Sequence, residues 1–130
     1  MRRLLSPFLL LALLCACAPG NPRELRQEPG LHASITVERD IRSVYKSLRA
    51  GLDECAGPTA ADLFEAEGNG WIKIAGPGFM TGEQIFLYYD LTAQGQNTTL
   101  VEGYAALNIG AWPGTVRNTE YWARGKTGCP

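Results

Sequence analysis

Residues 4–16, LLSPFLLLALLCA, form a run of thirteen residues in which only Ser6 and Pro7 interrupt the apolar side chains. A helix needs about 20 apolar residues to cross a hydrocarbon core about 30 Å thick, so this run is too short to span a membrane. It follows Arg2 and Arg3 and ends on the small residue Ala16. A basic start, a short apolar stretch and a small residue at the cleavage point describe a secretory signal peptide. Residues 1–16 are therefore expected to leave the chain, and the fold has to be built from the 114 residues that remain.

The end of the run carries two cysteines, in Leu14-Cys15-Ala16-Cys17. This arrangement resembles the lipobox of bacterial lipoproteins, in which Leu, a small residue and Ala or Gly precede a Cys that takes a diacylglycerol. The resemblance assigns lipidation to Cys17. Cys15 lacks a small residue before it and leaves with the signal. Cleavage frees the amine of the lipidated Cys, which in that family is usually acylated too. Two or more acyl chains hold a protein on a membrane without a spanning helix. Asp directly after the lipidated Cys retains such proteins at the inner membrane. Ala18 stands there, which implies the outer membrane of a diderm envelope, with the domain facing the periplasm or the surface.

If Cys17 carries lipid, Cys55 and Cys129 are the two thiols left, and they lie outside the cytoplasm, where disulfides persist. The resemblance thus implies a Cys55–Cys129 disulfide. In the chain-entropy model a loop of that length is stabilised by roughly 4 kcal/mol. Processing removes Arg2 and Arg3, leaving ten basic residues against thirteen acidic ones, a net charge of −3. That balance argues against nucleic acid or anionic lipid as a main partner.

Residues 17–33 hold the lipidated Cys and a segment rich in Pro and Gly, which reads as a flexible tether. His32, the sole histidine, falls in it and is set aside as a ligand or base on that ground. Residues 34–130 read as a single α+β domain. Val37, Ile41, Val44, Tyr45, Leu48 and Leu52 follow helical spacing, with Thr36 as N-cap and Gly51 at the end. Strands are predicted at 62–66, 71–75, 84–93, 97–107 and 115–124. The expected architecture is one N-terminal amphipathic helix packed on an antiparallel meander of four or five strands, stapled by one disulfide.

Gly95-Gln96 can form a two-residue type II′ turn. In that register Leu91 faces Leu100, Leu87 faces Tyr104 and Ile85 faces Ala106, an apolar side for the helix. On the opposite side Phe86 lies over Ala105 and Tyr88 over Gly103. Aromatics above small residues serve either as cross-strand packing or as a sticky surface. Phe86 and Tyr88 are accordingly the candidate binding face, and the loop around Ile109 and Trp112 is the next candidate.

Residue chemistry points away from catalysis. Residues 34–130 contain no His and only Ser34, Ser43 and Ser47, which leaves no Ser-His-Asp set within the domain. Residues 76–82, GPGFMTG, lack the spacing and the Lys of a phosphate loop. Glu65 with Glu67, and Asp53 with Glu54, are the carboxylate pairs, and a domain of this size rarely holds the deep cleft a glycosidase needs. No cofactor and no metal are expected. Two function classes fit: a non-catalytic, membrane-anchored envelope lipoprotein that binds another envelope protein or supports envelope assembly, and a periplasmic inhibitor or ligand binder. Tyr121-Trp122-Ala123-Arg124-Gly125 before Cys129 resembles the closing strand of periplasmic lysozyme-inhibitor lipoproteins. Those are all-β barrels without a helix like the one predicted here.

Overall fold

The computed structural model of the chain describes residues 21–27, 31–77, 82–106 and 112–130. Cys17 and Ile109 lie outside them. The elements are α1 (Pro22–Gln27), β1 (Leu31–Val37), α2 (Ile41–Cys55), β2 (Ala60–Phe64), a 3₁₀ turn (Glu65–Glu67), β3 (Asn69–Pro77), β4 (Glu83–Gly95), β5 (Thr98–Ala105), α3 (Trp112–Arg117) and α4 (Thr119–Ala123). The five strands form one antiparallel sheet in the order β1-β5-β4-β3-β2. β2 to β5 are the expected meander.

The long helix is not the first element, because α1 and β1 precede it. Thr36 and Val37 belong to β1, where the alternating, β-branched run Ser34-Ile35-Thr36-Val37 pairs with β5. The N-cap is Asp40: its Oδ1 accepts from the Ser43 backbone N–H at 2.9 Å and its Oδ2 from the Ser43 hydroxyl at 2.6 Å. Those two hydrogen bonds, the hydroxyl's first, hold the Asp40 carboxyl below its ordinary pKa. Gly51 does not end the helix, which continues to Cys55.

Residues 22–27 and 31–33, expected within the tether of residues 17–33, instead belong to α1 and β1. Leu25 of α1 is buried against Ile85 and Tyr88, and β1 starts at Leu31. Leu25, with Arg26 bound to Asp90, docks the six-residue helix on the sheet. Thr115–Arg124, predicted as the last strand, forms α3 and α4 instead. Val116, Thr119, Trp122 and Ala123 recur at helical spacing and are all buried. The sheet position they would have filled, beside β5, belongs to β1.

The β4–β5 register differs from the expectation by one residue. The turn is Gln96-Asn97, and the ladder is irregular between Ala93 and Gly95. Leu91 therefore faces Val101, Tyr89 faces Gly103 and Leu87 faces Ala105. A one-residue slip exchanges the two faces of a strand. Here it buries Thr99, Val101 and Ala105 with the helices and turns Leu100 and Tyr104 to the other side. Close packing selects this register. A Cβ at Gly103 would sit 2.6 Å from the Tyr89 ring, so Tyr89 needs glycine beneath it.

The main core lies between the sheet and α2, α3 and α4. Ile41, Val44, Leu48 and Leu52 of α2 pack on Ile72, Ile74, Leu87, Tyr89, Leu91 and Val101, with Val116, Trp122 and Ala123 closing the layer. Polar groups inside it are paired. The Tyr89 hydroxyl lies 2.8 Å from Thr119 Oγ1, and burial pushes its pKa well above the ordinary phenol value. Arg39 Nη1 donates to Ser47 Oγ at 3.0 Å and to the Ala123 carbonyl at 2.8 Å, joining α2 to α4. The expected disulfide is present: Cys55 at the end of α2 is bonded to Cys129, with Cα atoms 5.5 Å apart. Beside it, Trp122 Nε1 donates to the Gly128 carbonyl at 2.9 Å.

Candidate functional site

The sequence placed Phe86 and Tyr88 together on one exposed face. The structure separates them. The β3–β4 ladder shifts register between Ile74 and Ala75, so Ile74 pairs with Leu87 and Ala75 with Ile85, and Phe86 is the extra residue of a β-bulge. Its ring stacks on Trp112 of α3, with centroids 5.7 Å apart, and covers Gly76, where a Cβ would lie 2.9 Å from the ring.

Tyr88 stays on the opposite side and is only 6 % exposed. α1 covers it. Leu25 packs on it, and the Arg26 guanidinium sits 5.1 Å from its ring centroid while binding Asp90 at 2.6 Å. Trp71 lies alongside at 6.3 Å, and Tyr104 is the cross-strand neighbour in place of the expected Gly103. Burial, followed by the Asp90 carboxylate, raises the Tyr88 phenol pKa. The hydrogen bond to Asp90 raises that of Arg26. Tyr88 is thus part of a second, smaller core.

An accessible concavity lies at the sheet's edge, where β1 has no neighbouring strand beyond it among the described residues. A groove of about 440 Å³ runs between His32, Ala33, Ser34 and Ile35 of β1 and Val116, Arg117, Thr119 and Glu120 of α3 and α4. Every second residue of an edge strand turns its N–H and C=O away from the sheet. Among the described residues, β1 makes backbone–backbone bonds only to β5. Edge strands usually carry charges, Pro or a bulge that blocks further pairing. The other edge, β2, has five residues and includes Asp62. β1 has seven residues, LHASITV, with no Lys, Arg, Asp, Glu or Pro among them.

The groove's electrostatics are uneven. Glu120 is neutralised by Arg124 at 2.7 Å. Arg117, exposed at the end of α3, has no ion-pair partner among the described residues. The Thr119 hydroxyl is turned inward to Tyr89 and to the Thr115 carbonyl.

His32, assigned to a tether by the sequence, is held on β1, its ring 4.9 Å from that of Tyr104 and its Nε2 3.9 Å from Glu102 Oε2. Among the described residues no hydrogen bond joins it to Ser34, and no group of three His, Cys, Asp or Glu gathers as metal ligands. Glu65 and Glu67 both lie on the 3₁₀ turn, and Glu65 is ion-paired with Arg42. The arrangement at β1 is suited to holding an extended chain. Sequence reasoning missed it, although Ala33, Ile35 and Val37 alternate as a strand should. No protein-family model, curated protein or solved structure matches the chain.

Proposed function

We propose that this chain is a lipid-anchored envelope protein without catalytic activity, whose domain binds another protein at the open edge of its sheet. The observation that carries the binding role is β1, a seven-residue edge strand without charge or proline beside a groove. The anchoring role is supported by Leu14-Cys15-Ala16-Cys17 at the end of a short apolar run. In this reading the lipid of Cys17 attaches the protein to the membrane. Ala18 directs it to the outer membrane by the family's sorting rule.

The docking of α1 adds a spatial consequence. Four residues, 18–21, separate Cys17 from Pro22. A chain reaches at most about 3.5 Å per residue, so α1 stays within about 15–20 Å of the lipidated residue. The domain then rides close to the membrane on its α1 side, and a partner reaches it from the side, where β1 is open. Cross-linking in whole cells, followed by recovery of the protein from solubilised envelopes, tests the reading. A reproducible envelope partner is expected. Recovery of the protein alone, at every cross-linker length, speaks against it.

A further inference from the structure

We infer that the groove beside β1 receives an extended, carboxylate-bearing segment of a partner protein as a sixth strand, with its carboxylate on Arg117. This rests on the protein-binding reading above and specifies its chemistry.

Three features converge on that occupant. The first is the ladder. The outward N–H and C=O groups of β1 form the template that strand addition uses, where main-chain bonds supply affinity and alternate side chains supply selectivity. Four residues of β1, His32 to Ile35, line the groove. At about 3.3 Å per residue they offer a pairing length of about 13 Å.

The second is the wall. Ala33, Ile35 and Val116 are apolar residues of its lining, so the groove takes small or apolar side chains. The third is charge. Glu120 is already engaged by Arg124, whereas Arg117 is a cation with no partner among the described residues. A guanidinium presents a donor fork that matches a carboxylate in two parallel hydrogen bonds. A basic segment would meet Arg117 as a like charge.

The same logic disfavours a second copy of this chain as the occupant. β1 paired with its own duplicate would bring LHASITV, which has no carboxylate to offer Arg117.

The test uses the full chain in detergent and four labelled heptapeptides: TVTVEVT, TVTVKVT, and two isomers of TVTVEVT N-methylated at alternate residues, each with one edge unable to form ladder bonds. Fluorescence anisotropy should show the Glu peptide binding at least tenfold tighter than the Lys peptide. Arg117→Ser should abolish that difference, and N-methylation on the pairing edge should abolish binding. Equal binding of the Glu and Lys peptides overturns the assignment, as does undiminished binding of both N-methyl isomers. A dimer in sedimentation that β1 variants dissociate overturns it in favour of a second copy. If no peptide binds while the envelope partner is still recovered, strand addition is wrong and the protein-binding reading stands. If the partner is also absent, both fall.

Discussion

Gly51 of α2 and Trp122 of α4 share a space that admits only one side chain. A Cβ at Gly51 would lie 2.3 Å from both Cγ and Cδ1 of the Trp122 indole. Trp122 is 1 % exposed and cannot retreat without opening the core. Gly51→Ala should therefore destabilise the fold, although alanine is normally better than glycine inside a helix by about 1 kcal/mol. Overpacking of this kind costs about 1–3 kcal/mol, and more where backbone must move. The control is the exposed neighbour, Ala50→Gly, expected to cost about 1 kcal/mol through propensity alone. Thermal denaturation should place both variants below wild type, with Gly51→Ala the lower. A higher melting temperature for Gly51→Ala would mean that the two helices do not meet at this point.

The Cys55–Cys129 bond fixes the end of α2 to the turn that follows α4. The chain-entropy model gives it up to about 4 kcal/mol, a large fraction of a small domain's stability. Denatured, unreduced protein should yield no free thiol from Cys55 or Cys129. Because the Gly128 carbonyl accepts from Trp122 Nε1, reduction should also change the environment of that indole. The measurement is tryptophan fluorescence across a reductant series, followed by urea unfolding. Two reactive thiols in the oxidised protein refute the staple.

How far the fold could be read depended on the range over which each element is decided. The α2 stripe Ile41, Val44, Leu48 and Leu52 is local and periodic, and the sequence shows it. The meander from β2 to β5 is legible for the same reason. The β4–β5 register is not local. Gly95-Gln96 and Gln96-Asn97 offer turns one residue apart, and the choice rests on the Tyr89 ring needing Gly103 across the ladder. Thr115 to Arg124 is rich in Thr, Val, Tyr and Trp, which favour strands by propensity, yet the burial of Val116, Thr119, Trp122 and Ala123 overrode it. The groove was least legible. It exists because β1 crosses to the far side of β5, and prolines and glycines in the preceding segment masked β1 as part of a tether.

The Asp40 cap gives a pH dependence of known sign. Its folded pKa is lowered, chiefly by the Ser43 hydroxyl and then by the Ser43 N–H. Stability from a depressed carboxyl is fully present above its unfolded pKa, about 3.9, and is lost as pH falls through the folded value. Asp40→Asn keeps an acceptor without the charge. It should therefore be less stable than wild type at neutral pH, with the gap closing in acid. Chemical denaturation at several pH values down to 3 reads this directly. A gap that persists unchanged into strong acid assigns the cap's effect to shape instead of charge.

The anchor prediction follows from Leu14-Cys15-Ala16-Cys17. Cys17→Ser should abolish acylation and leave unprocessed precursor or protein released from the membrane fraction. Mass spectrometry of the mature N-terminus should find lipid on Cys17. An unmodified N-terminus at any other residue removes the lipoprotein reading, and the distance limit between α1 and the membrane falls with it.

Leu25 and Tyr88 decide what the outer sheet face is for. Leu25 is 2 % exposed, lies in a helix of six residues, and is the one buried residue of that helix. A helix so short has little stability of its own, so its position depends on this side chain and on the Arg26–Asp90 pair. Burying a Leu commonly contributes about 2–5 kcal/mol as measured by truncation to Ala. Leu25→Ala should release α1, expose Tyr88, and open the segment before β1 to limited proteolysis while the disulfide-linked core stays folded. Tyr88→Glu places an ionised carboxylate at the same site, next to Asp90, and should lower the melting temperature by several degrees. Partner recovery should survive both changes, because β1 and its groove lie at the sheet's edge. A Tyr88→Glu protein that melts like wild type yet loses its partner would restore the outer face as the binding surface and displace the groove from that role.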